Sequence, residues 1–325
     1  MPKAVRFHRT GGPDVLQVDE LAVGAPGPGE AQVRHVACGV NFVDCYQRSG
    51  LYPMPLPAVA GNEGAGVVEA VGPGVTAVKP GDRVAYAMAA GSYCELRNLN
   101  AERLCLLPGG ISFEQGAAMM LKGMTVQYLI RRTHRVEPGE TVLFHAAAGG
   151  VGLIACQWLK ALGATIIGTA GSEEKCELAR QHGADHCINY RAEDFVARVK
   201  ELTGGQGVPV VYDSVGRDTF PGSLKCLRPL GLMVSFGSAS GPVPPLAITE
   251  LTSHGSLFLT RPSLGTYIAG RPDLLATSGE LFDVVLSGKV RIGIGARYDL
   301  KDAAQAHRDL ESRATTGTGV LVTGA

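Results

Sequence analysis

The sequence predicts an α/β protein that combines a six-stranded doubly wound sheet with a β-barrel-type domain. Short β segments separated by Gly/Pro turns fill residues 1 to about 120, a pattern typical of barrels. From Thr141 onward, strand patterns alternate with helical patterns, which is typical of a parallel sheet covered by helices. The segment after about residue 261 is too short to bury a core of its own, so we expect it to return to the first domain.

The first predicted domain covers residues 1–122. Near its end, Ser112 and Gln115 have the spacing of a capping box, in which each side chain bonds to the other residue's backbone N–H. This pair predicts the start of a helix that runs to Arg132. The clearest β segments of the domain are Ala31–Val36, Gly66–Ala70 and Arg83–Ala87.

The second predicted domain covers residues 123–262 and contains the doubly wound sheet. Its strands are expected near 141–145, 165–169, 186–189, 208–212, 232–236 and 257–260, with helices between the first five. Six strands with connections of this length fit a complete sheet of this kind. The last segment, 263–325, is predicted to contain helices near 272–287 and 301–312 and extended stretches near 290–296 and 319–322.

A glycine-rich turn lies between the first strand of that sheet and a helix that ends at Gly163. The fingerprint G-x-G-x-x-G/A is met in part, because Ala147 stands at the position of the first glycine. Glycine lets a pyrophosphate approach backbone N–H groups, and the following helix adds the positive end of its dipole. The strand, turn and helix therefore predict a dinucleotide site of the Rossmann type. The expected contacts are Ala148, Gly149, Gly150, Val151 and Gly152.

The composition limits the classes of function. Thirty basic and thirty acidic residues balance, which argues against a dominant nucleic-acid or membrane-surface role. Eight cysteines without a C-x-x-C pair, and no signal peptide, predict reduced thiols in a cytoplasmic protein. The uncharged stretches Thr141–Leu159 and Pro229–Thr249 are interrupted by glycine or proline, so we expect no membrane insertion.

Recognisable segments occur in order along essentially the whole chain: Gly39–Asp44, Arg48–Pro53, Gly61–Gly66, His145–Gly152, Asp213–Gly216, Thr260–Ser263 and Glu311–Thr315. Together they resemble the medium-chain dehydrogenase/reductase superfamily, and specifically its zinc-free, ζ-crystallin-like branch of bacterial NADPH:quinone oxidoreductases. The resemblance implies a GroES-like catalytic domain, a Rossmann domain that binds NADPH, and a homodimer.

The chain departs from the zinc alcohol dehydrogenases of that superfamily at each metal position. The resemblance places a zinc-binding Cys of those enzymes at Asn41, and their Gly-His-Glu motif at Gly61-Asn62-Glu63. Their third ligand falls in the segment Met119–Gly123, which holds no thiol. Amide side chains do not replace a thiolate and an imidazole as zinc ligands. We therefore expect no catalytic metal.

The end of the second strand indicates which nicotinamide cofactor binds. NAD-specific sites place an acid there to hold the ribose hydroxyls, whereas this position includes Gly171 and Ser172 and has no carboxylate. Lys175, one turn further on, supplies a cation for a 2′-phosphate. The resemblance adds Tyr190 and Arg313 to the phosphate pocket, so the predicted cofactor is NADPH. The other expected cofactor contacts are Asn41, Phe42, Asp44, Thr125, Ser214, Gly216, Phe236, Gly237 and Arg261.

Without a metal to polarise an oxygen, the site favours acceptors that are already electron-poor, namely quinones and conjugated enones. The expected catalytic residues are Asn41, Tyr46, Tyr52 and Thr125, and Asn62 and Lys122 are expected to line the same site. Asn41 is expected to donate its amide to the acceptor oxygen or to the nicotinamide. Tyr46 is expected to bond to or stack on a planar acceptor. Asp44 is expected to orient its neighbours, and water is expected to supply protons.

Three other functions compete with quinone reduction. An NADPH-dependent enone or alkenal reductase of the same fold would reduce a C=C bond and is the nearest alternative. An NADPH-binding structural or RNA-binding protein is the alternative of another class, and the balanced charge disfavours RNA. A serine hydrolase is a poor fit, because Gly237–Gly241 has alanine where G-x-S-x-G requires serine.

Overall fold

The computed structural model describes residues 1–312 and 315–324 of the chain. Its strands, numbered along the chain, are β1 (Lys3–Phe7), β2 (Gln17–Glu20), β3 (Glu30–Gly39), β4 (Ala58–Val59), β5 (Glu63–Val71), β6 (Arg83–Ala87), β7 (Leu96–Asn100), β8 (Cys105–Leu106), β9 (Thr141–Phe144), β10 (Thr165–Ala170), β11 (His186–Asn189), β12 (Val208–Asp213), β13 (Leu227–Ser235), β14 (Phe258–Thr260), β15 (Ile294–Asp299) and β16 (Thr318–Val322). Its α-helices are α1 (Phe42–Ser49), α2 (Phe113–Tyr128), α3 (Gly150–Ala161), α4 (Glu173–Gln181), α5 (Phe195–Leu202), α6 (Phe220–Cys226), α7 (Thr249–Ser253), α8 (Leu264–Tyr267), α9 (Arg271–Leu286) and α10 (Ala303–Glu311).

The first of two compact units contains a seven-stranded sheet with the order β15-β16-β3-β5-β6-β8, in which β7 also pairs with β3. A smaller sheet has the order β2-β1-β4. Strand β16 pairs antiparallel with β3, and Val320 lies opposite Gly39, so the C-terminal tail completes this sheet as predicted. Along β3, buried and partly exposed residues alternate until the last three residues, which are all buried. The chain therefore enters α1 from the interior of the unit. The unit comprises Met1–Met124, Tyr267–Leu286 and Ile292–Ala325.

The second compact unit comprises Thr125–Thr266 and Ser287–Arg291. Its six strands are all parallel and have the order β11-β10-β9-β12-β13-β14. This is the predicted doubly wound sheet, in which the strand order reverses between β9 and β12. The strands read as apolar runs because helices cover both faces of such a sheet, and β10 is buried from its second residue onward. In sheets of this kind, ligands bind beyond the carboxyl ends of the strands at the reversal point.

The predicted capping box starts α2. The Ser112 N–H donates to Gln115 Oε1 at 3.0 Å, and the Gln115 N–H donates to Ser112 Oγ at 3.1 Å. The helix is shorter than predicted, because a π turn over Leu129–Thr133 follows it. The His134 N–H donates to Leu129 O, five residues back, and this wider turn ends the helix.

The C-terminal extended stretch expected near 290–296 is instead β15. Its position is set by the parallel pairing with β16, which places Tyr298 opposite Leu321. Within residues 1–312 and 315–324, no helix has the length and apolar character needed to cross a bilayer.

Candidate active site and nucleotide site

The glycine turn joins β9 to α3 in a backbone path that only small residues permit. Ala146 has a φ of 55°, and Gly149 precedes the helix in an extended conformation. A Cβ on Gly152 would lie 2.3 Å from Ala146 O and 2.6 Å from the Ala147 carbonyl carbon, which is closer than atoms can approach. The first N–H groups of α3 have no partner within the helix, so they can bind an anion. The turn therefore fits the pyrophosphate of a dinucleotide.

A buried histidine holds this turn to the neighbouring strands. His145 Nδ1 lies 2.9 Å from Thr169 Oγ1, and its Nε2 lies 2.9 Å from Ser223 Oγ. Ser223 donates in turn to Asp213 Oδ2 at 3.0 Å, and the other Asp213 oxygen accepts the Val215 N–H at 2.8 Å. Burial lowers the pKa of His145, so the ring acts as a neutral bridge between the ends of β9, β10 and β12. No local sequence pattern indicates this bridge, because the partners of His145 lie 24 and 78 residues away in the chain.

The residues predicted to form a 2′-phosphate pocket follow the end of β10. A Cβ on Gly171 would lie 2.8 Å from the Tyr190 hydroxyl oxygen, so these two residues pack directly against each other. Ser172 caps α4 by accepting the Lys175 N–H at 3.4 Å. These residues surround the first turn of the helix. Arg313 lies outside the described residues.

The two acids that follow Ser172 are both engaged by neighbouring groups. Glu173 forms an ion pair with Arg180 on the next turns of α4. A hydrogen bond from Ser172 holds the pKa of Glu174 below its ordinary value. Their charges are therefore met by local partners at the start of the helix.

The loops after β12 and β13 bring together the other predicted contacts of the second unit. Gly216 has a φ of 91°, and a Cβ on Gly237 would lie 2.3 Å from Ser214 O. Arg261 Nη1 donates to Gly237 O at 2.7 Å, which fixes the shape of this loop. The Phe236 ring lies beside the ring of Phe144, with centroids 5.9 Å apart. Their roles as cofactor contacts stay predictions.

In the first unit, the start of α1 is held by a buried carboxylate. Asp44 reaches back to accept the Asn41 N–H at 2.8 Å, and its other oxygen accepts Asn62 Nδ2 at 2.7 Å. Asn62 Nδ2 also donates to Gln47 Oε1 at 2.7 Å. Asp44 is 1% exposed, and this burial raises its pKa to about 6 against the opposing effect of its donors. This geometry suits the orienting role expected for Asp44.

The Lys122 ammonium lies inside a polar cluster that includes Asn41, at which the family resemblance places a zinc ligand of the related alcohol dehydrogenases. Its Nζ donates to Asn41 Oδ1 at 2.7 Å and to Val40 O at 3.1 Å, and it lies 3.6 Å from Glu63 Oε2. Because lysine only donates, the Asn41 oxygen must face Lys122 and its Nδ2 must face Glu63, at 2.9 Å. Burial raises the pKa of Glu63, and the ammonium opposes that rise. Among the described residues, no group of three His, Cys, Asp or Glu side chains could hold a metal.

Three aromatic rings form a ledge on α1 and the segment that follows it. The centroids of Tyr46 and Tyr52 are 5.2 Å apart in an edge-to-face arrangement, and Phe42 lies 6.1 Å from Tyr46. The Tyr52 N–H donates to Tyr46 O at 3.0 Å, which fixes the segment against the helix. Tyr52 is 39% exposed. Thr125, in contrast, is a buried residue of α2. The catalytic roles of these residues stay predictions.

Together, the two folds and the glycine turn define a two-domain dehydrogenase of the nicotinamide-dependent class. The family model described as Alcohol dehydrogenase GroES-like domain matches residues 27–141. The model described as Zinc-binding dehydrogenase matches residues 150–273, which begin within the glycine turn at Gly150 and include none of the positions of the Lys122 cluster.

The similarity to individual proteins shows which family within this class the chain belongs to. A quinone oxidoreductase of Pseudomonas aeruginosa is 54% identical over 99% of this chain and 100% of its own length. The crystal structure of an Escherichia coli quinone oxidoreductase complexed with NADPH superposes with a TM-score of 0.97 at 52% identity, covering 99% of this chain and 100% of that one. A 2-haloacrylate reductase of a Burkholderia species is 46% identical over 99% of both chains. The chain belongs to the quinone oxidoreductase branch of the medium-chain dehydrogenase/reductase superfamily, which confirms the predicted fold class and family.

Proposed function

We infer that this protein is an oxidoreductase that transfers reducing equivalents from NADPH to quinones. The observation that carries this inference is the Lys122 cluster, because an ammonium with satisfied amide and carboxylate partners lies against Asn41, where the family resemblance places a ligand of a Lewis-acid metal. A site built in this way does not polarise an alcohol or a simple ketone through a metal. It suits acceptors that delocalise the incoming charge into their own conjugated system.

NADPH supplies the hydride when bound, and the protein supplies position and electrostatics. The glycine turn and the start of α3 bind the pyrophosphate, and Ser172, Lys175 and Tyr190 bind the 2′-phosphate. In the first unit, the ring of Tyr46 presents a face on which a planar acceptor stacks. Asn41 is held in a fixed orientation by Lys122 and Glu63, and Asn62 by Asp44. We assign protonation of the reduced oxygens to water.

The acceptor class is tested by the rate of NADPH oxidation with a panel of compounds. We expect the highest kcat/KM with small quinones, lower values with α,β-unsaturated aldehydes, and no change after treatment with a chelator. The 2-haloacrylate reductase relative makes C=C reduction the second candidate, so a 2-haloacrylate belongs in the panel. A clear preference for the alkenes would replace quinone reduction by this alternative. Loss of activity on chelation, with recovery on adding Zn²⁺, would contradict the metal-free site.

Lys175→Ala tests the assignment of the 2′-phosphate pocket. Removal of one cation from a phosphate should raise KM for NADPH by about 10-fold to 100-fold, the range expected for a charge-assisted hydrogen bond. KM for NADH should stay unchanged, because NADH has no 2′-phosphate. Lys200→Ala removes an exposed lysine from α5 and is the matched control. An equal loss with both cofactors would show that Lys175 acts on the fold and not on the phosphate.

The proposal includes a cytoplasmic homodimer. Strand β14 is the edge of the second unit's sheet, and its Phe258 and Leu259 are 61% and 40% exposed. An apolar edge strand of this kind readily pairs with a second copy. Light scattering should therefore give about twice the chain mass of 33.9 kDa, and a mass equal to one chain would contradict the dimer.

A further inference from the structure

A continuous line of polar side chains runs through the first unit behind α1. Tyr93 OH lies 2.9 Å from Asp44 Oδ2 and 3.2 Å from His307 Nε2. His307 Nδ1 lies 3.2 Å from Arg48 Nη1, and Arg48 forms a two-point ion pair with Glu311 at 2.6 and 3.2 Å. All except Glu311 are at most 2% exposed. The proposed quinone site uses none of Tyr93, His307 and Arg48.

The chemistry of the partners fixes the direction of every bond in this line. The Arg48 guanidinium only donates, so His307 Nδ1 must accept and carry no proton. Burial and the nearby Arg48 lower the pKa of His307 to about 3, so the ring is neutral and its one proton is on Nε2. Nε2–H then donates to the Tyr93 oxygen, which leaves the Tyr93 proton for Asp44. Each bond is polarised in the same sense, away from the Arg48 cation and towards the Asp44 carboxylate.

The charge state of Asp44 also depends on groups from the other elements packed around it. Lys122 on α2 favours its charged form, as do the hydrogen bonds from Asn41 and Asn62. The thiols of Cys38 on β3 and Cys45 on α1 interact with it electrostatically. Burial acts in the opposite direction and is the largest of these effects. A buried carboxylate balanced in this way depends on each of its donors to remain charged.

We propose that Tyr93 and His307 are positioning residues for quinone reduction, which act by holding Asp44 in the form that orients Asn41 and Asn62. The proposal rests on the quinone reductase function inferred above. Neither side chain touches the acceptor or the cofactor in this role. They act through Asp44. The neutral imidazole of His307 transmits the electrostatic effect of Arg48 to the Tyr93 hydroxyl. The arrangement gives the enzyme an acidic limit of activity, because Asp44 stops accepting both amide donors once it is protonated.

The test is the pH profile of kcat/KM for the quinone in Tyr93→Phe. Loss of the hydroxyl removes one donor from Asp44, so its pKa should rise and the acidic limb should move to higher pH by about one unit, as expected for a lost bond to a charged group. Relative to the wild type, activity should fall about fivefold at the pH of the wild-type midpoint and little at pH 8.5. KM for NADPH should change less than twofold. His307→Leu should move the limb in the same direction, and His307→Gln, which keeps a donor, should move it less.

Tyr86→Phe is the matched control. It removes another fully buried hydroxyl, which lies 2.8 Å from His35 and 3.3 Å from Arg97 and has no bond to Asp44. Its acidic limb should coincide with the wild type. In an Asp44→Asn background, Tyr93→Phe should cause no further shift of the acidic limb of the pH profile. The proposal is overturned if Tyr93→Phe and Tyr86→Phe lose activity by the same factor at every pH. Failure of the proposed function would appear earlier, as a wild-type enzyme that does not reduce quinones.

Discussion

Replacement of Lys122 by methionine should lower the free energy of unfolding by about 3–5 kcal/mol at neutral pH, the cost of breaking a buried ion pair on one side. Methionine keeps most of the apolar stem but removes the ammonium, which leaves the carboxyl group of Glu63, 0% exposed, without its cation. The Asn41 oxygen loses its 2.7 Å donor at the same time. Chemical denaturation of the variant and the wild type measures the difference.

The loss of stability caused by Lys122→Met should become larger as pH rises. Burial already raises the pKa of Glu63, and loss of the ammonium raises it further. The folded state then binds a proton more tightly than the unfolded state, so stability falls as pH rises from the unfolded pKa to the folded pKa. The deficit should therefore be smallest in acid, where Glu63 is protonated in both states.

A double variant separates the ion pair from simple packing. Glu63→Gln in the Lys122→Met background removes the uncompensated charge, so it should recover part of the lost stability, as charge-free replacements of buried pairs often do. Lys79→Met, at an exposed turn, is the control and should change stability by less than about 0.5 kcal/mol. Additive losses in the double variant would mean that Lys122 and Glu63 do not interact.

The sequence alone predicts the parts of this molecule that depend on local pattern. Strand and helix periods, the glycine turn and the Ser112 capping box all follow from residues within a few positions of one another. The return of the tail to the first unit follows from its length, which is too small for a separate core. These features need no knowledge of distant partners, and the structure contains each of them.

The hydrogen bonds and ion pairs that support the candidate site cannot be predicted from the sequence, because the residues that form them are far apart in the chain. Arg48 and Glu311 are separated by 263 residues, and Tyr93 and His307 by 214. Asn41 illustrates the consequence. Its type and position predict a donor for the acceptor, whereas the folded chain engages both ends of its amide with Lys122 and Glu63. Glu63 stands beside Asn62 in the motif, yet its place in the cluster depends on the close approach of α2.

Gly152→Ala should abolish detectable NADPH binding, with a loss of affinity above about 100-fold, because the glycine turn cannot keep its shape. The added Cβ would lie 2.3 Å from Ala146 O and within 2.6 Å of two Ala147 backbone atoms, and backbone atoms cannot move aside as a flexible side chain can. The turn must therefore shift away from α3, which displaces the N–H groups proposed to bind the pyrophosphate. Overpacking of this kind also costs roughly 1–3 kcal/mol of stability. Fluorescence titration with NADPH measures the affinity, and thermal unfolding measures the stability.

Gly279→Ala provides the matched control for this prediction. Gly279 lies inside α9, and a Cβ there meets no atom within 4 Å, so the same substitution should leave NADPH affinity unchanged and raise stability slightly. The contrast isolates the steric requirement at the turn from the general effect of alanine on a helix. If the affinity of Gly152→Ala for NADPH is within twofold of the wild type, NADPH binding does not require this backbone conformation of the glycine turn. The phosphate site would then have to be sought outside the start of α3.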